Sequence, residues 1–193
     1  MSTVAVPARR VLADVLSPSR LTDLGLVVGG ATLTGLLAQV SIPLGFTPVP
    51  VTGQTLAVML VGTALGWRRA TAAMSLYVVA GVLGVPWFAG HASGFPAATF
   101  GYLLGFVVAG AVLGRLAAAG ADRTVVRAAA SMVAGEVVIF AFGVTWLALD
   151  LHVSLAEALT LGFTPFVAGE LIKAGLCGMA LPATWRVIDR APR

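Results

Sequence analysis

Apolar residues dominate the chain in blocks, and the breaks between blocks are short and of two contrasting kinds. The blocks fall at 22–40, 53–67, 70–84, 99–118, 125–149 and 162–187, and each predicts a helical span. A helix needs about 20 apolar residues to cross a bilayer upright, so the second and third blocks are short for the task. A single broken hairpin is the other reading of those two. Against it stands Gly66-Trp67-Arg68-Arg69, because two adjacent arginines cost roughly 2.5–3.5 kcal/mol each at a helix centre in the bilayer. The pattern therefore predicts an all-α, polytopic membrane protein with six transmembrane helices. It forms a single membrane domain over 1–193, with a basic N-terminal segment (1–20) and a six-helix core (21–188).

Composition agrees with that reading. The 193 residues are 59% hydrophobic and 10% charged, whereas soluble domains carry about 25% charged residues. The mean hydropathy is +0.98. A globule of this size could not cover itself with polar surface, so its outside faces lipid.

Charge then orients the spans. All but one of the 12 basic residues are arginines. They lie before the first block (Arg9, Arg10, Arg20), between the second and third (Arg68, Arg69), around the fourth-to-fifth connection (Arg115, Arg123, Arg127) and at the chain's end (Arg186, Arg190, Arg193). The connections near 41–52, 85–98 and 150–161 contain no Lys or Arg. An even number of spans with all positive charge on one side puts both termini in the cytoplasm. The net charge of +4 then needs no nucleic-acid partner. Residues 8–20 read either as an amphipathic segment on the inner membrane surface or as disorder. No small-x-small cleavage signature follows the first block, so a cleaved leader is not expected.

The first two outer connections are long, apolar and rich in Pro and Gly, unlike solvated loops. They read as lids folded over the outer mouth of the bundle, or as loops lying in the interfacial belt. Small residues recur inside the spans. Gly101, Gly105, Gly110 and Gly114 suit close packing within the bundle. Ala31, Gly35 and Ala38 on the first span form a small face that either packs inside or receives a partner's helix.

Candidate chemistry is sparse. Cys177 is the only cysteine and the two histidines, His91 and His152, fall in connections, so no metal site is expected. There is no P-loop and no H-E-x-x-H. Glu136, Glu170 and Lys173 fall within spans, where ionisable residues face the interior or water. Glu170 and Lys173 are three apart and share a helix face. They read as a polar-solute site or as a structural ion pair. Thr52-Gly53-Gln54-Thr55 opens the second block. Thr52 can cap that helix, and Gln54 exceeds what capping needs. Tyr77 and Tyr102 are the only tyrosines.

Four ordered stretches carry a family resemblance. Ile42-Pro43-Leu44-Gly45-Phe46-Thr47-Pro48-Val49-Pro50-Val51-Thr52-Gly53-Gln54-Thr55 resembles the I-P-L-G-x-x-P-V-P-x-T-x-Q-T pattern of the BioY family. Tyr77 to Gly90 is similar to its Y-x-x-x-G-x-x-G-x-P-x-F-x-G run. Thr99 to Phe106 resembles G-P-T-x-G-Y-L-x-G-F, and Pro165 to Lys173 resembles P-F-x-x-G-D-x-x-K. Three positions depart: Glu170 stands for the family's Asp, Ala98 for a Pro, and Trp87 for a smaller apolar residue.

The resemblance implies a six-helical, biotin-specific substrate-binding (S) component of an energy-coupling factor (ECF) transporter in the bacterial cytoplasmic membrane. It implies no enzyme activity and no cofactor. Its partners would be a membrane coupling protein and two cytoplasmic ATPases. Carried over, Glu170 accepts from the ligand's ureido N–H, and Lys173 meets a polar ligand group or orients Glu170. Thr52 and Gln54 support the first lid, Phe88 and Trp87 cover the rings, and Gly90 admits backbone approach. Thr99 and Tyr102 meet polar ends, and Ala31, Gly35 and Ala38 dock the coupling protein. Two rivals remain: an S component for another vitamin, which the Glu-for-Asp change favours, and an intramembrane hydrolase pairing Glu136 or Glu170 with a histidine.

Overall fold

The computed structural model describes residues 10–190, which pack around one apolar core. The long helices are α1 (Arg20–Ala38), α2 (Gln54–Val82), α3 (Phe100–Ala118), α4 (Val125–Leu151) and α6 (Val167–Arg190), with a short α5 (Leu155–Gly162) before the last. Four helical stretches are long and apolar enough to cross a membrane: Arg20–Ala38, Ala97–Ala118, Val125–Leu151 and Leu155–Arg190.

α2 is two arms joined at Gly66, whose φ of 77° and ψ of 165° are not helical. A side chain at that φ would be strained, and Val11 occupies the space beside it. The expected interruption at 66–69 thus shrinks to one residue, and helix resumes through Arg68 and Arg69. Arg69 stays at the bundle end by pairing with Asp14 at 2.9 Å and Asp23 at 2.7 Å.

The N-terminal segment differs from both expectations. Over its described part it neither lies apart on a membrane surface nor hangs free. A 3-10 turn, Leu12–Val15, tucks Val11 and Ala13 into the core. Arg123 donates to the Arg10 carbonyl at 3.0 Å, and its guanidinium lies 3.4 Å from the centre of the Trp185 ring. The segment fills the notch that the α2 break opens. Residues 1–9, where Arg9 lies, fall outside the described part.

The outer connection near 150–161 is also not a plain loop, because α5 occupies most of it. Ser154 caps α5 by accepting from Glu157 N at 3.2 Å, a contact worth about 1 kcal/mol. Ala158 then buries against α4. A 3-10 turn, Thr164–Phe166, redirects the chain into α6, so the last helix starts five residues later than the apolar block suggests.

The glycines of α3 serve two neighbours. A Cβ at Gly101 or Gly105 would strike α4, at Trp146 and Ile139 respectively. A Cβ at Gly110 would crowd Met74, and one at Gly114 would strike the backbone at Gly66 and Trp67, both on α2. One G-x-x-x-G pair seats each side of the helix.

α1 packs on α2 through its small face. Ala31, Gly35 and Ala38 are all buried, and a Cβ on Gly35 would sit 3.0 Å from Trp87. Gly35 meets the chain's own second outer connection at Trp87, and with Ala31 and Ala38 also buried the three offer no open face for the docking role expected of them. The open glycines of α1 are Gly25 and Gly29, which have nothing within 4 Å of a would-be Cβ.

Candidate ligand-binding site

A cavity with about 610 Å³ of empty space, its open mouth included, lies between α2, α3, α4 and α6 beneath the two Pro/Gly-rich connections. Ligand pockets of small-molecule proteins span about 300–1,000 Å³. Its wall divides by chemistry. Thr52, Gln54, Thr55 and Glu170 supply polar groups, while Phe88, Tyr102, Phe106, Phe140 and Phe166 supply rings.

The polar side is built by two helices that meet only in the folded chain. Lys173 Nζ donates to Glu170 Oε1 at 2.7 Å, to Thr55 Oγ1 at 2.9 Å and to the Thr52 carbonyl at 2.7 Å. Thr55 Oγ1 in turn donates to Glu170 Oε2 at 2.7 Å. An ammonium has three donors, and all three are used. Lys173 therefore orients Glu170 and anchors the foot of the first connection, and it does not line the cavity. Of its two expected roles, orienting Glu170 is the one seen in this arrangement. Glu170 is 8% exposed and faces the cavity. Each of its oxygens accepts one bond and has a further lone pair to offer. Removing the ammonium would strand a buried carboxylate, which costs about 3–5 kcal/mol in such pairs.

A second chain of hydrogen bonds starts at Thr52. Its hydroxyl donates to Gln54 Oε1 at 2.8 Å, Gln54 Nε2 donates to the Tyr77 hydroxyl at 2.7 Å, and that hydroxyl donates to the Trp87 carbonyl at 3.3 Å. Gln54 thus links the first outer connection to the second. Tyr102 donates to the Gly162 carbonyl at 2.7 Å, so its ring lines the cavity while its hydroxyl proton is committed. Thr99 lines the wall and makes no side-chain hydrogen bond among the described residues.

Six of the nine residues expected at the site line this cavity: Thr52, Gln54, Phe88, Thr99, Tyr102 and Glu170. Three do not. Lys173 stands behind Glu170. Trp87 turns the other way, stacking on Tyr77 with ring centres 5.3 Å apart and donating from Nε1 to the Tyr77 carbonyl at 2.9 Å. Its indole covers Gly35 on α1. Gly90 is exposed with φ of 67°, so it turns the loop and presents no backbone to the cavity. Neither histidine lines the wall, which removes the partner a hydrolase would need.

Four contributors lie outside the expected set. Thr55 bridges Lys173 and Glu170, and its signal was the polar run at the head of α2. Gln39 ends α1. Its Nε2 reaches the Gly35, Trp87 and Phe88 carbonyls at 2.9–3.2 Å, and its Oε1 accepts from His91 N at 3.0 Å. A lone amide closing an apolar span was the available clue. Phe140 carries no sequence signal that separates it from ordinary core, and the signal for Phe166 was its place in the Pro165-to-Lys173 stretch.

The fold and a cavity so placed define the class. The arrangement matches the crystal structure of an S-component for biotin from an ECF-type ABC transporter, with a TM-score of 0.76 over 88% of this chain and 95% of that one. The identity there is 20%, so this likeness speaks for the fold. The sequence profile of the BioY family matches residues 9–190, and the chain belongs to that family. It is 38% identical to the biotin transporter BioY2 of Lactococcus lactis, across 84% of this chain and 91% of that protein. It is 40% identical to the biotin transporter BioY of Thermotoga maritima, across 70% and 79%. The corresponding protein of Rhizobium etli is 36% identical, across 72% and 79%. With four membrane-length helices, the chain is a multi-pass membrane protein.

Proposed function

We propose that this protein captures biotin near the outer face of the bacterial cytoplasmic membrane as the S component of an ECF-type transporter. The carrying observation is Glu170, a buried carboxylate held by Lys173 and Thr55 and turned into a ring-lined cavity. Biotin has a ureido group with two N–H donors, an apolar bicyclic body and a carboxylated tail. The ureido donors suit Glu170, and the body suits the gap among Phe88, Phe106 and Phe140. No cationic side chain lines the cavity among the described residues, so the anionic tail points to the open mouth. Glu170 in place of Asp sets the carboxylate one methylene further out, within reach of both Thr55 and Lys173.

In this reading the two arms of α2 are the second and third of six spans, and both termini are cytoplasmic. The charge pattern supports that orientation, as does the meeting of Arg69 and Arg123 with the N-terminal segment at one end. Delivery proceeds by association with a membrane coupling protein and two cytoplasmic ATPases. α1 remains the candidate docking helix through its outer face, where Gly25, Gly29 and Leu33 line a shallow groove.

Mass spectrometry of the small molecule released by heating the purified protein tests the ligand. Biotin supports the proposal, a different vitamin redirects it, and an empty cavity after growth on biotin removes it. Glu170→Ala is expected to weaken biotin binding by about tenfold or more, since a hydrogen bond to a charged group contributes about 1.5–3 kcal/mol. Unchanged affinity in a detergent titration would take Glu170 out of the site.

A further inference from the structure

Behind the ring-lined cavity lies a second one of about 470 Å³, between α4 and α6, and the two share Phe140 and Glu170 as a common wall. Its outer side is apolar, with Val133, Val137 and Leu171 exposed toward the surroundings. Its floor holds Glu136, which is 7% exposed. Neither oxygen of Glu136 receives a hydrogen bond from any donor among the described residues. A carboxylate left so, in an apolar wall, is very costly. Glu136 and Glu170 line this same cavity from facing helices, and Lys173 follows one turn after Glu170 on α6, bonded to it at 2.7 Å.

We infer that Glu136 is a proton-carrying positioning residue for the ligand site, donating its acid O–H to Glu170 from behind. This rests on the biotin-binding reading and deepens it. With the proton in place, one ammonium faces one carboxylate, and Glu136 supplies the donor that its surroundings lack. The O–H engages a rear lone pair of Glu170 and leaves the cavity-facing ones for ligand N–H groups. With the proton gone, two carboxylates compete for Lys173, which is drawn from the Thr52 carbonyl and the foot of the first connection. Ligand therefore prefers the protonated pair. By linkage, binding takes up protons wherever Glu136 is partly ionised, and affinity falls as pH rises.

The titratable groups around Glu136 are Glu170, Lys173 and Cys177 on α6. Tyr102 on α3 and Tyr77 on α2 are committed to Gly162 and to Gln54 and Trp87, and Glu157 on α5 is exposed.

The test is biotin titration of the full-length protein in lipid nanodiscs. Between about pH 7 and pH 10 the wild type is expected to lose about fivefold or more in affinity. Glu136→Gln keeps a donor and cannot ionise, so its affinity should fall less than that of the wild type on the alkaline side. Parallel pH profiles for the two proteins would overturn the inference. Should E136Q not fold, binding heats of the wild type at about pH 9, in two buffers of different ionisation enthalpy, decide the matter. Net proton uptake supports the inference, and equal heats overturn it. A wild type that shows no biotin heat at any pH fails the ligand assignment itself, and this inference with it.

Discussion

The two outer connections have the same Pro/Gly-rich, apolar composition and are held in place very differently. The second, from Gly84 to Pro96, is fastened along its length. Gln39 grips the Trp87 and Phe88 carbonyls and the His91 N–H, and Trp87 is stacked on Tyr77. The Phe88 ring lies against Gly81, where any side chain would overlap it. Gly94 N also donates to the Gly81 carbonyl at 2.9 Å. The first connection, from Ser41 to Thr52, is held by polar ties near its feet, by a two-residue ladder (Ser41 with Thr52, Ile42 with Val51) and by Lys173, and by Val49 buried in the core. Its tip, with Phe46 63% exposed, is largely free of such ties. Composition says that both loops avoid water, and tertiary contact decides how firmly each is tied. Both line the cavity, the second through Phe88, Ala89 and Pro96 and the first through Val49, Pro50 and Thr52, and in the proposed reading the less tied first loop is the lid.

The largest test of this contrast is Gly81→Val. The new side chain must displace the Phe88 ring, at a cost of about 3 kcal/mol or more, the upper range for overpacking. Thermal unfolding in detergent should fall by several degrees and biotin binding should be lost. A stable variant with wild-type affinity would show that the second connection is not fixed through Phe88. Next comes Gln39→Ala, which leaves two loop carbonyls and an N–H without their partner. A cost of about 1–3 kcal/mol follows, with faster amide exchange across 85–94 and none of it transferred to 41–52. Uniform acceleration in both loops would erase the distinction drawn between them.

The smallest effect belongs to the first loop. Phe46→Ala should change stability by no more than about 0.5 kcal/mol, as for other exposed positions, while speeding the entry and release of ligand. Because Cys177 is buried, a Phe46→Cys variant carries one accessible thiol, whose labelling should slow when biotin is bound. Labelling indifferent to ligand would mean that the first connection does not close.

Much of the architecture was legible before any coordinates. Long apolar blocks must become helices in lipid, because every backbone group has to be satisfied locally there. The i, i+3 spacing of Glu170 and Lys173 made their contact a local matter, and the glycine spacing of α3 announced close packing. Misreadings arose where a residue's direction depends on a distant segment. Ala31, Gly35 and Ala38 look alike whether they face a partner or lie buried in the chain's own fold. Trp87 reads as a lid residue until Tyr77 and Gly35 claim it. The helical α5 was hidden because its eight residues are short and their burial depends on α4.

The chain's own sequence thus determined where helices run, which connections are basic and which carboxylate and ammonium are paired. Only the tertiary structure decided that Thr55 and the Thr52 carbonyl exhaust the lysine, that Glu136 lies behind Glu170, and that one of two similar loops is bolted down. The reason is one of range. Hydropathy and helical periodicity act over a few turns, whereas a hydrogen-bond network at a site closes across more than a hundred residues of chain, and nothing in either stretch alone records its partner.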